Sequence, residues 1–247
     1  MMPGPILIKK CSNCRKPIEE ETLMSGNSFG AVFWTDGEYD APMMPDQPEL
    51  VKCPFCKALL WLEELEEVGD KGMNRPSDFI PVENPDIDLA ITRPFKMPNM
   101  NDYFRLLKVK IDSDEREAYL RLRAWRAGND RRRRSEHGPL KFKKKNGKPL
   151  EPLSYAEIKN MKELICILDE QDDEERLLKA ELFRELGFFN QCLSCLAKPL
   201  DDEYKAAAAF IRELALKKDP LVREMKPEGC REGSECPGAY LGGRPEA

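Results

Sequence analysis

Histidine is almost absent from this chain: one, His137, in 247 residues. That excludes metal centres built on two or three imidazoles and argues against a histidine-centred catalytic network. No phosphate-binding glycine loop and no nucleophile elbow occurs, and the carboxylates are too numerous for a catalytic pair to be singled out. No apolar run approaches the ~20 residues needed to span a bilayer. The opening stretch, Met1 to Lys10, is apolar first and then basic, the reverse of a secretory signal. These absences lead us to expect a cytoplasmic, non-catalytic protein with no membrane association.

Charge is abundant instead. Lys, Arg, Asp and Glu make up 34% of the chain, and the net charge of −5 conceals an asymmetry. Residues 101–150 carry 16 basic and 7 acidic side chains, whereas residues 151–247 carry 14 and 21. Nine of the eighteen residues from Arg131 to Lys148 are basic, against one acid, Glu136. Such a tract is the electrostatic footprint of a nucleic-acid backbone contact. It is equally the pattern of a solvated loop, or of one that meets an acidic protein surface. Arg131, Arg132, Arg133, Arg134, Lys143, Lys144 and Lys145 are the candidate contacts in either case.

Nine cysteines are present. In a reducing compartment, clustered cysteines more often bind metal than form disulfides. Cys11-Ser12-Asn13-Cys14 and Cys53-Pro54-Phe55-Cys56 are two C-x2-C units with 38 residues between them. Thiolates two residues apart can face one ion across a tight turn, and two such turns supply the four ligands of a closed, structural Zn2+ site. The same ligands would also serve iron. Four protein ligands leave no position open for hydrolytic chemistry. Cys11 to Pro17 and Cys53 to Lys57 resemble the two knuckles of a zinc ribbon, a rubredoxin-like arrangement, over about residues 6–62. In that family Gly often follows each second cysteine; here Arg15 and Lys57 stand there.

A third C-x2-C, Cys192 and Cys195, falls on an expected helix, and Cys230 and Cys236 lie in the glycine-bearing tail. The four could form a second zinc site, Cys192 and Cys195 could do redox chemistry, or Cys192 could be a core residue and the tail cysteines free. Cys166, between Ile165 and Ile167, is expected to be buried. Leu186 to Leu193 resembles the middle of a tetratricopeptide repeat, with no second copy at a 34-residue period; the resemblance implies a helical hairpin that serves binding.

The elements follow from pattern. Phe29, Val32, Phe33 and Trp34 are strand-prone, and Asp36-Gly37 signals a tight turn. Residues 58–68 fit a short helix or a strand. Five prolines between 73 and 98 predict an extended connector. A helix is expected over 102–127, opened by Asp112 with Glu115 and ended by Gly128-Asn129, followed by a basic loop over 128–150. Ser154 with Glu157 is a capping box opening a helix to about 169. Further helices are expected at 174–186, 188–197 and 202–218. The expected class is α+β: a zinc-ribbon-like domain (1–72), a proline-rich connector (73–101), a helical domain (102–226) and a flexible tail (227–247). The function that fits is a zinc-binding adaptor for a protein partner, with a nucleic-acid-associated factor as the alternative; the short, cysteine-tethered layout resembles that of bacterial proteins.

Overall fold

The computed structural model describes residues 1–71, 80–81, 91–137 and 152–225. Among them, an N-terminal β region precedes six helices, an α+β arrangement. They divide into two compact units: Met1–Gly30 with Ala41–Asp102, and Ala31–Asp40 with the described residues from Tyr103 onward.

The first unit is built on β1 (Met2–Lys10) and β2 (Pro17–Ser25), an antiparallel pair joined by the turn that carries Cys11 and Cys14. The sheet order is β8-β7-β1-β2-β9, with β7 at Glu66–Asp70 and two-residue edge strands β8 (Ile80–Pro81) and β9 (Arg93–Pro94). Both edge strands come from the proline-rich stretch and end on proline, which lacks a ladder donor and is tolerated at a sheet edge. β2 approaches Gly4 closely: a Cβ there would crowd the Thr22 hydroxyl and lie 3.2 Å from the Thr22 carbonyl carbon. A separate pair, β5 (Leu50–Lys52) and β6 (Leu59–Trp61), flanks the turn carrying Cys53 and Cys56. Residues 58–68 thus resolve into β6, a short 3-10 turn at Leu62–Glu64 and the start of β7.

The second unit holds a hairpin and most of the helices. β3 (Val32–Trp34) and β4 (Tyr39–Asp40) are joined across Asp36-Gly37, with Gly37 at φ 74° and its N–H donating to the Trp34 carbonyl at 2.9 Å. A third strand, β10 (Glu224–Met225), pairs with β3. After α1 (Met100–Leu106), which opens on reciprocal bonds between Asn99 and Asp102, come α2 (Asp114–His137), α3 (Tyr155–Ile167), α4 (Asp173–Glu185), α5 (Phe189–Cys195) and α6 (Lys205–Leu216). The Ser154–Glu157 capping box forms as the sequence leads one to expect. Leu177, Ala180, Cys192, Leu196, Ile211 and Ala215 form one core between α4, α5 and α6. Trp125, Met161, Leu164, Leu178 and Leu182 form another between α2, α3 and α4.

Three expectations are corrected. The helix expected over 102–127 is broken at 107–113, and Ser113, not Asp112, accepts at its N-terminus, from the Arg116 N–H at 3.2 Å. The helix does not stop at Gly128-Asn129, so no loop begins at 128: Asn129 is fully buried, and its side-chain amide donates to Asp36 at 2.9 Å and to Glu185 at 3.1 Å. Those bonds hold the backbone helical against its local preference for a stop. Finally, residues 31–40, which the sequence places within the N-terminal domain, belong to the helical unit, where Thr35 and Asp36 are fully buried. Connector residues 72–79 and 82–90, basic-tract residues 138–151 and tail residues 226–247 lie outside the described residues.

Candidate metal centre

Each C-x2-C unit folds into the same turn. In the first, the Cys11 N–H donates to the Lys16 carbonyl at 3.0 Å and the Arg15 N–H donates to the Cys11 carbonyl at 2.9 Å. In the second, the Cys53 N–H donates to the Ala58 carbonyl at 2.9 Å and the Lys57 N–H to the Cys53 carbonyl at 3.1 Å. Closing this turn needs a left-handed residue after the second cysteine. Arg15 and Lys57 take it, at φ 63° and 66°, where glycine would be free of a Cβ penalty. The two departures from the ribbon pattern are therefore departures in residue type and not in backbone shape. Lys57 recovers part of the cost by donating from Nζ to the Pro54 carbonyl at 2.6 Å.

The two turns face each other. The sulfurs of Cys11 and Cys56 are 3.8 Å apart, as are those of Cys14 and Cys53, and all four lie within 4.8 Å of one another. A tetrahedron of sulfurs about 2.3 Å from a central zinc has an edge of about 3.8 Å. The residues present therefore fit a tetrahedral metal ion, with one cysteine pair from the β1–β2 turn and the other from the β5–β6 turn. Cys11 and Cys53 are fully buried in a core with Ile18, Val51, Leu60, Leu62 and Leu65. Cys14 and Cys56 are half-buried.

Electrostatics distinguish the two inner thiols from Cys56. Burial pushes Cys11 up to about 12 and raises Cys53, against N–H groups of their own turns that favour the thiolate. At Cys56 burial also pushes upward, but the Asn13 side chain, the Ala58 backbone and the neighbouring thiols together outweigh it and hold the thiol down at about 6. Cys11, Cys14, Cys53 and Cys56 would hold the ion as thiolates, so binding would release the protons that burial keeps on the inner pair. Phe55 shields the rim, with Lys16 Nζ 5.0 Å and the Arg93 guanidinium 5.3 Å from its ring centre. Two cations there offset the net charge of −2 that four thiolates and one divalent ion carry. Sequence spacing locates the four ligands; Asn13 and the Phe55 rim carry no signal beyond lying inside and beside the knuckles.

The remaining candidates do not assemble this way. Among the described residues, the four-cysteine group is the one cluster suited to a metal. Cys192 is fully buried in the α4–α6 core, and burial pushes its thiol up to about 12; Cys195 is also raised by burial. Such thiols favour the protonated form, which disfavours redox exchange. Cys230 and Cys236 lie outside the described residues. Cys166 is exposed, not buried, because α3 turns Met161 and Leu164 to the core and leaves 166 on the opposite face.

The arginine tract is also redistributed by its helix. Arg133 is buried and paired with Asp36, while Arg132 pairs with Glu157 at 3.0 Å. Arg131, whose side chain is 53% exposed, reaches the same Glu157 at 3.3 Å. The side chain of Arg134, and Lys143, Lys144 and Lys145, fall outside what is described. Among the described residues, no helix is long and apolar enough to cross a membrane.

Comparisons with family models, curated proteins and solved structures find no match. The zinc-ribbon-like reading therefore stands on two turns with the same hydrogen-bond pattern and on their sulfur tetrad. The likeness of Leu186–Leu193 to a tetratricopeptide repeat is unsupported; α5, at seven residues, forms a short hairpin with α4 around Gly187, whose φ is 80°.

Proposed function

We propose that this chain is a non-catalytic, cytoplasmic adaptor whose N-terminal unit is organised by one structural Zn2+ bound to Cys11, Cys14, Cys53 and Cys56. The observation that carries the reading is the sulfur tetrad, with its 3.8 Å edges. When bound, the ion supplies cross-linking: it ties the β1–β2 turn to the β5–β6 turn. Seven buried residues form that core, and two of them are ligands, so metal binding and folding of this unit are one event. Four thiolates close the coordination sphere, which supports a structural and not a hydrolytic role. The helical unit, with two apolar cores and exposed helix faces, supplies the surface on which a protein partner binds. The nucleic-acid reading loses support from Arg132 and Arg133, whose charges are matched within the fold.

Metal analysis of the purified, unchelated chain tests the proposal. One equivalent of zinc is expected, falling below half an equivalent in Cys11→Ser and Cys53→Ser. Less than half an equivalent in the unsubstituted chain, or an unchanged content in both variants, contradicts it.

A further inference from the structure

We infer that the groove between α2 and α3 docks an acidic, amphipathic helix of a partner protein; this rests on the adaptor reading and names the chemistry of its partner. The groove is open to solvent, has a volume of about 510 Å3 and runs along the outer face of α3. That face is unusual in what it exposes. Tyr155 is 82% accessible and Ile167 39%. Cys166 is exposed as well, and Ile158 is half-buried at the base of the groove. Tyr155, Ile158, Lys159, Lys162 and Cys166 recur at helical spacing, so they form one stripe. Its length, about 18 Å at 1.5 Å per residue, matches about three turns of a docked helix.

The groove is preformed. Arg121 of α2 is held between Glu117 and Glu163, each at 2.6 Å, and its backbone carbonyl accepts from the Asn160 amide of α3 at 2.9 Å. A wall fixed in advance lowers the ordering cost of binding. The same contacts decide the charge that a partner meets. Arg121, Lys159 and Lys162 face only Glu117 and Glu163 in the groove, a net charge of +1, and both lysines stand exposed along its lip. Lys159 is 61% exposed and only 3.7 Å from Glu163, a surface pair of little energetic consequence. The lip is thus basic within a segment, 151–247, that carries 14 basic and 21 acidic side chains. Apolar anchors for Tyr155, Ile158 and Ile167, flanked by Asp or Glu facing the two lysines, complement it. A basic helix is repelled, and an RNA backbone brings nothing to fill the apolar base.

The test is selection of a displayed library of amphipathic helical peptides on the full, zinc-loaded chain, followed by fluorescence anisotropy of the enriched sequences. Expected are peptides with large apolar residues at i, i+3, i+4 and i+7 flanked by acids. Their affinity should fall at least tenfold in the double variant Lys159→Glu, Lys162→Glu and about tenfold in Tyr155→Ala. All three side chains are exposed, so the fold is unaffected, which an unchanged melting temperature checks. Mixed-sequence single-stranded RNA should not compete. Enriched peptides that are neutral or basic, or binding that survives the lysine reversal, overturn the groove assignment and leave the adaptor reading standing. Competition by RNA overturns the protein-helix assignment. No enrichment on any surface overturns both.

Discussion

Arg15 and Lys57 show how a single position can hide a motif. Each sits in the left-handed region, at φ 63° and 66°, where a side chain costs about 1 kcal/mol relative to glycine. Part of that gain is returned through the greater freedom of glycine in the unfolded chain. Arg15→Gly should therefore stabilise the zinc-loaded protein by about 0.5–1 kcal/mol in chemical denaturation, and Lys57→Gly by less, because it forfeits the Nζ bond to the Pro54 carbonyl. Glu185 is the other residue whose environment has a measurable consequence. Burial, with Glu181 and Asp36 nearby and only partly opposed by Arg184 and the Trp125 indole, raises its carboxyl from 4.5 to about 8. Between about pH 4.5 and 8 the folded state keeps a proton that the unfolded state has lost. This contribution to stability is full below that window, falls as pH rises through it by at most about 1.4 kcal/mol per unit, and levels off above pH 8. Urea denaturation followed by helical circular dichroism at pH 5, 6, 7 and 8 should show the decline, and Glu185→Gln should flatten it.

At the scale of elements, what was legible and what was not separate cleanly. The Ser154–Glu157 box, the Asp36-Gly37 turn and the knuckles are local: their hydrogen bonds close within a few residues, so spacing alone reveals them. The end of α2 was not legible, since Gly128-Asn129 is a stop signal that only distant partners override. Those partners are Asp36 on the hairpin, 93 residues away, and Glu185 on α4, 56 residues away. The continuation changes what the arginines are. A run of four in a loop is a candidate contact for a polyanion or an acidic surface; on a helix Arg132 turns to Glu157 and Arg133 faces inward onto Asp36. Arg133→Ala leaves the fully buried Asp36 without its main counter-charge and should cost about 3–5 kcal/mol, whereas Arg131→Ala, at a half-exposed pair, should cost under about 1 kcal/mol. Replacing all four arginines is then a stability experiment before it is a binding one.

At the scale of the molecule, residues 31–40 leave the cysteine-bearing unit and complete the helical one. The Thr35 hydroxyl accepts from the Arg223 N–H at 3.0 Å, its backbone N–H donates to the Arg223 carbonyl at 2.9 Å, and β10 pairs with β3. A hydrophobicity pattern cannot show this, because Phe33 and Trp34 would serve either core equally well. The consequence is that loss of the metal should divide the chain by contact and not by position along it. Hydrogen exchange on the full chain, with and without a zinc chelator, measures this directly. The account predicts that chelation strips protection from β1, β2 and β5–β7, while the Trp34, Thr35 and Gly37 amides and those of α2 to α6 keep theirs. Unchanged protection in β1 and β2 after the metal has been removed would contradict the claim that the four-cysteine site organises that unit.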